Sequence, residues 1–188
     1  MKNASLVLLV LTIGLHFFDG RVFANAGMVS SEERPADLGE SSKDTEVENS
    51  VTYITDAFII AAASGNIEEI KRFIDEEGKS VNYEETALGL TPLISAVASG
   101  SDNTACVEFL LKQPGIDVNK AMKDGLTPLH CAVLQNDIKI LKLLLEIPEI
   151  DVTVVYEDGM TAELIAQENG YTEVLQLLQD FKGTTKKS

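Results

Sequence analysis

From Phe58 onward, apolar residues fall into four pairs of short helical patterns separated by glycine-marked connections. Phe58 to Ser64 predicts the first helix of the opening pair. Asn66-Ile67-Glu68-Glu69 then predicts a capping box that starts its second helix, with Ile67, Ile70, Phe73 and Ile74 on one face. Leu93 to Ser99 opens the second pair, whose second helix ends near Leu111. Two extra residues around Ser101 to Thr104 predict a bulged loop between these helices. The third pair is the most regular, Leu129 to Gln135 and then Ile138 to Glu146. The fourth runs from Ala162 to Glu168 and from Thr172 to Asp180. Pro114 and Pro148 stand just beyond second helices, where proline ends a helix at little cost.

The pattern carries a motif. Thr91-Pro92-Leu93-Ile94 returns 36 residues later as Thr127-Pro128-Leu129-His130, and a degraded copy, Thr161-Ala162-Glu163-Leu164, follows after 34 more. Threonine opens each first helix as an N-cap, and proline takes the first helical position, where its missing N–H costs nothing. Leu93, Leu129 and Leu143 are expected in the core, with Ala96 and Ala132 allowing neighbouring helices to approach. Gly89, Gly125 and Gly159 precede the entries and give the connecting hairpins backbone freedom.

A period near 33 residues carrying Thr-Pro-Leu-His-x-Ala resembles the ankyrin repeat. The resemblance implies an all-α solenoid of about four helix pairs with hairpin-like connections over residues 51–181. The outer repeats depart from the motif as terminal caps do. It also implies binding through hairpin tips and a concave first-helix face. Mapped onto this chain, those positions are Tyr83, Leu90 and Ser99; Ala121, Lys123, Leu126, Leu134 and Gln135; and Val155, Tyr156, Glu157, Met160, Glu168 and Asn169. Leu90, Leu126 and Met160 share one slot before the Thr-Pro entry or its remnant. They are expected either to form an exposed apolar row that anchors a partner or to cover the seam between hairpins.

The chain start reads differently. Lys2, the apolar stretch Leu6 to Leu15 and the small-residue site Ala24-Asn25-Ala26 resemble a secretory signal peptide spanning residues 1–26. Thr12, Gly14 and His16 interrupt the apolar run, which falls short of the ~20 residues a membrane span needs, so no stable anchor is expected after cleavage. Residues 27–50, rich in Ser, Glu and Asp, predict a disordered acidic linker, and residues 182–188 a basic tail. The expectation is an exported protein, periplasmic if bacterial and otherwise secreted.

Charge narrows the partners. The chain has 15 basic and 30 acidic residues, a net −15, which becomes −16 once Lys2, Asp19 and Arg21 leave with the signal. Such a polyanion repels nucleic acid and anionic lipid and favours a basic protein partner. A monomer is expected when unbound.

Catalysis finds little footing. His130 is the one histidine outside the signal segment, and its place in the motif implies a structural hydrogen bond to a neighbouring repeat's backbone rather than triad chemistry. No glycine-rich phosphate loop, His-Glu-x-x-His or Cys-x-x-Cys occurs, so no enzyme, cofactor or metal is expected. Cys106 and Cys131 fall on apolar faces, which favours buried free thiols, although an exported protein could pair them. Two functions follow: an exported binding module, in its sharper form an inhibitor or immunity protein for a basic exported enzyme such as a cell-wall hydrolase, or a secreted effector that binds a host protein.

Overall fold

The computed structural model describes residues 56–156 and 159–185. The expected signal peptide and acidic linker lie outside the described residues. Among the described residues there are eight α-helices: α1 (Ala57–Ala63), α2 (Ile67–Lys71), α3 (Pro92–Ala98), α4 (Thr104–Leu111), α5 (Pro128–Leu134), α6 (Ile138–Leu145), α7 (Ala162–Glu168) and α8 (Thr172–Thr185). They form four antiparallel pairs, and the last pair is preceded by a two-residue hairpin of β1 (Val155–Tyr156) and β2 (Met160–Thr161). Helix α8 runs through the first residues of the expected tail.

Each first helix starts on a side-chain cap. Thr91, Thr127 and Thr161 accept from the amides of Ile94, His130 and Leu164 at 3.2, 3.4 and 3.3 Å. The opening repeat lacks Thr-Pro, and Asp56 substitutes, accepting from the Phe58 amide at 2.9 Å. In α2 only half of the expected capping box forms. Asn66 accepts from the Glu69 amide at 3.1 Å, while the Glu69 carboxylate turns to Arg72 instead.

The core runs along the whole stack, from Phe58, Ile59 and Ile70 through Leu93, Ile94 and Leu110 to Leu129, Ile140, Leu141 and Leu144, all buried. Ala96 and Ala132 have no exposed surface, as close helix approach requires. Leu143 departs from expectation. It is only half-buried, because α6 turns Ile140, Leu141 and Leu144 inward and leaves Leu143 outside that stripe.

Between repeats, asparagines act as rungs. The Asn82 Nδ2 donates to the Gly115 carbonyl at 2.7 Å, and its Oδ1 accepts from the Asp117 amide at 2.8 Å. Asn119 makes the same pair one repeat later, to the Glu149 carbonyl at 2.7 Å and from the Asp151 amide at 2.8 Å. Thr153 takes the next place and instead donates to Asp151 in its own loop.

The two extra residues of the second repeat form a 3₁₀ turn, Ser101–Asn103, rather than a loose bulge. Asn103 reaches back, donating to the carbonyls of Ala62 at 2.7 Å and Ala96 at 3.1 Å. Ser101 reaches forward, donating to Asp137 at 2.6 Å, while Asp137 caps α6 through the amides of Lys139 and Ile140. One short turn therefore joins three repeats.

Candidate protein-binding surface

Of the two forms open to Leu90, Leu126 and Met160, an exposed row or a seam cover, the exposed row is absent. Leu90 and Leu126 are each 1% exposed. Their carbonyls accept from the amides of Glu85 and Met122 at 2.9 Å, and the resulting tight hairpins sit with both leucine side chains in the core. Met160, half-buried, pairs with Tyr156 across the small sheet and packs on the same core. These positions seal the seam between hairpins.

Several other mapped positions hold the stack together. The Gln135 Nε2 donates to the Val97 carbonyl of the preceding repeat at 3.2 Å. Lys123 is exposed, yet its ammonium donates to the carbonyls of Thr86 and Ala87 in the hairpin before it. Ser99 donates to the Ser95 carbonyl at 3.0 Å, Leu134 packs half-buried on the core, and Ala121 is half-buried. Tyr83 donates its hydroxyl to Asp56 at 2.7 Å. Burial works to raise the Asp56 carboxyl, but the Tyr83 hydroxyl, the Phe58 and Ile59 amides and Lys79 together hold it below the usual range. Glu157 lies outside the described residues.

What stays open is concentrated on the last repeat. Val155 is 54% exposed, Glu168 and Asn169 are exposed, and Leu164, which the sequence mapping did not include, is 42% exposed. Val155 pairs with Thr161 across the hairpin, and Thr161 caps the Leu164 amide, so one residue links the backbone of the Val155 strand to the first turn of α7. The signal for Leu164 was present in the degraded motif: leucine stands where the third repeat has His130.

His130 shows what that slot normally does. The ring is 1% exposed and lies 5.7 Å from the Tyr156 ring of the following hairpin. Its hydrogen bonds are made within its own repeat, where Nδ1 takes the Thr127 amide at 3.3 Å and lies 2.8 Å from the Thr127 hydroxyl. A doubly accepting Nδ1 places the ring proton on Nε2. The backbone of Val154 and Met160, in the next repeat, favours the protonated ring, but Nε2 closes no bond of ordinary geometry. The expected bond to a neighbouring backbone is thus only an approach, and the capping role dominates. Burial holds His130 below the usual imidazole range, so it is neutral near pH 7.

Charge is unevenly placed. Helices α1, α3 and α5 contain no charged residue. The acidic groups stand on second helices and connections, and on α7 at Glu163 and Glu168. The first helices are therefore uncharged over three repeats, where their side chains are mostly buried, and carry acids only in the fourth. The cysteines are both buried and free, with burial pushing each thiol up to about 12. Among the described residues no cluster of three or more His, Cys, Asp or Glu could hold a metal, and no helix is long and apolar enough to cross a membrane.

Capped helix pairs joined by hairpins and laced by asparagine rungs match a known family. A family model described as "Ankyrin repeats (3 copies)" matches residues 41–122, 58–156 and 105–187. The chain belongs to the ankyrin repeat family. A protein of Rickettsia bellii (strain RML369-C), named for its ankyrin repeats, is 28% identical over 143 residues, covering 76% of each chain. The first ankyrin match begins at residue 41, within the segment expected to be linker. An ankyrin stack is a protein-binding module, and no catalytic family is indicated.

Proposed function

We propose that this ankyrin domain is an exported module that captures a basic protein partner, with the last repeat as its anchor. The observation that carries this reading is that the last repeat carries two exposed apolar side chains, Val155 and Leu164, together with the exposed acid Glu168. Apolar anchors rimmed by charge suit a protein interface. The net charge, −16 once residues 1–26 are removed, steers a basic partner toward it. In its sharper form, the module blocks the cleft of a basic exported enzyme such as a cell-wall hydrolase.

The test is capture of partners by the mature protein, residues 27–188, from its own envelope fraction, followed by binding kinetics. Replacing Val155 and Leu164 together with Ala should speed dissociation, each costing more than ~1 kcal/mol if it is a hot spot. Added salt should mainly slow association. Unchanged dissociation in a folded double variant would remove the last repeat from the interface. N-terminal sequencing of the exported form should find Gly27 first. Recovery of the protein inside a host cell, bound to a host protein, would instead favour the effector reading.

A further inference from the structure

The first repeat holds a cluster that partner capture does not use. The Lys79 ammonium lies 4.8 Å from the ring centre of Phe73, 4.9 Å from that of Tyr83 and 5.8 Å from that of Phe58. The three rings brace one another, with Phe58 5.2 Å from Phe73 and 6.0 Å from Tyr83. Asp56 completes the set, its Oδ1 3.8 Å from the ammonium. Phe58 and Phe73 are buried, whereas the Lys79 side chain is 28% exposed, so the lysine stands between the rings and solvent.

The local backbone is shaped to put it there. Helix α2 passes into a π turn, Arg72–Glu76, closed by the Glu77 amide on the Arg72 carbonyl at 3.2 Å. Gly78 follows at φ +66°, and the Lys79 amide donates to the Phe73 carbonyl at 2.9 Å, which turns the chain back over the Phe73 ring. Such turns cost regular helix bonds and often occur at functional sites.

We infer that Phe58, Phe73 and Tyr83, with Asp56, form an aromatic cage for a quaternary ammonium group, and that Lys79 is its tethered occupant. A primary ammonium has three N–H donors to satisfy. At 3.8 Å the Asp56 oxygen pairs with Lys79 without reaching hydrogen-bond distance. That oxygen already accepts from the Phe58 and Ile59 amides, and Oδ2 accepts from Tyr83. The cage thus offers π faces and negative charge but few acceptors. That environment fits a methylated ammonium, which has no donors to lose and presents its charge through methyl groups. The spacing agrees, since a methyl carbon in contact with a ring at about 3.5–4 Å places its nitrogen roughly 5 Å from the ring. The acidic chain adds long-range attraction for any cation. Lys79 then acts as a lid that an incoming ligand displaces. Ligand affinity is reduced by the fraction of time the lysine is seated, about tenfold if it is seated nine-tenths of the time.

Calorimetric titration of the full chain tests the assignment with three probes: a trimethyllysine peptide, the same peptide unmethylated, and choline. The trimethyllysine peptide should bind wild type weakly and the Lys79→Ala chain about tenfold tighter. The unmethylated peptide should bind both forms at least about tenfold more weakly than the trimethylated one, for want of acceptors. Choline binding as well as the peptide assigns the cage to small quaternary ammonium compounds. Peptide binding alone assigns it to a modified protein. Lys79→Gln, which keeps the stem and removes the charge, serves if Lys79→Ala loses its helical circular dichroism. Phe73→Leu added to either variant should abolish binding. Absence of binding by the Lys79 variants, equal binding of methylated and unmethylated peptides, or equal affinity in wild type and variants would each overturn the cage.

Discussion

Asn119 and Asp151 are joined across a repeat boundary: the Asn119 Oδ1 accepts from the Asp151 amide at 2.8 Å, while its Nδ2 donates to the nearby Glu149 carbonyl. Asn82 makes the equivalent pair of bonds to Gly115 and Asp117, so two successive loops are each fixed by one short side chain that both donates and accepts. Asn119→Ala removes both bonds and should cost about 1 kcal/mol in urea unfolding, since solvent partly replaces them. Thr153→Ala, at the end of the ladder, should cost less than half as much. Equal losses at the two sites would deny the rungs a role between repeats.

Gly125 and Gly159 both adopt positive φ, +93° and +86°. A Cβ at Gly125 would lie 3.1 Å from the Val155 carbonyl oxygen, whereas one at Gly159 meets nothing within 4 Å. Both alanine variants carry the left-handed strain of about 1–2 kcal/mol. Gly125→Ala should lose more, because the hairpins must also separate. Thermal melts of the pair isolate that contact, and a smaller loss at Gly125 would contradict the hairpin packing.

Leu129→Ala and Leu144→Ala should each destabilise the domain by about 2–5 kcal/mol, as buried core leucines do. Leu143→Ala should stay below about 1.5 kcal/mol, because that side chain stands outside the core stripe. Leu126→Ala belongs with the first group, which makes it a stability variant and unsuitable as a probe of binding.

His130 is buried neutral, with its pKa held below the ordinary 6.5 by burial. Above 6.5 the folded and unfolded chains carry the same charge at this residue, and its contribution is whole. As pH falls below 6.5 toward the lower folded value, the unfolded chain takes up a proton first and stability drops, by at most about 1.4 kcal/mol per pH unit. Denaturant midpoints between pH 7.5 and 5 should show this slope in wild type and lose it in His130→Gln. A slope that survives the substitution would place the titration elsewhere.

Residues whose role is set within one repeat were readable from the chain alone. The Thr91 and Thr127 caps, the helix pairs and the burial of Leu93, Leu129, Ala96 and Ala132 all follow from local spacing. Roles set by the neighbouring repeat were harder to read. Leu90 and Leu126 look like surface residues beside a turn, yet the adjoining hairpin covers them. Gln135 and Lys123 look available, yet both bond to the repeat before them. Leu164 lies open for the complementary reason, since it occupies the slot where His130 meets the Tyr156 of a following hairpin. The aromatic cluster around Lys79 was invisible because the turn of the chain at Gly78, not any spacing, brings its members together.

Repeat proteins are commonly treated as cassettes that can be cut and rejoined one period apart, since each unit meets only its neighbours through equivalent surfaces. The Ser101–Asn103 turn breaks that equivalence. Its backward grip on Ala62 and forward grip on Asp137 key the second unit to one predecessor and one successor. Excising it would leave Asp137 without its serine, and duplicating it would set an Asn103 against a helix end shaped for a different partner. Unequal recombination could lengthen or shorten this stack toward its C-terminal half, but the order of its first three units is locked.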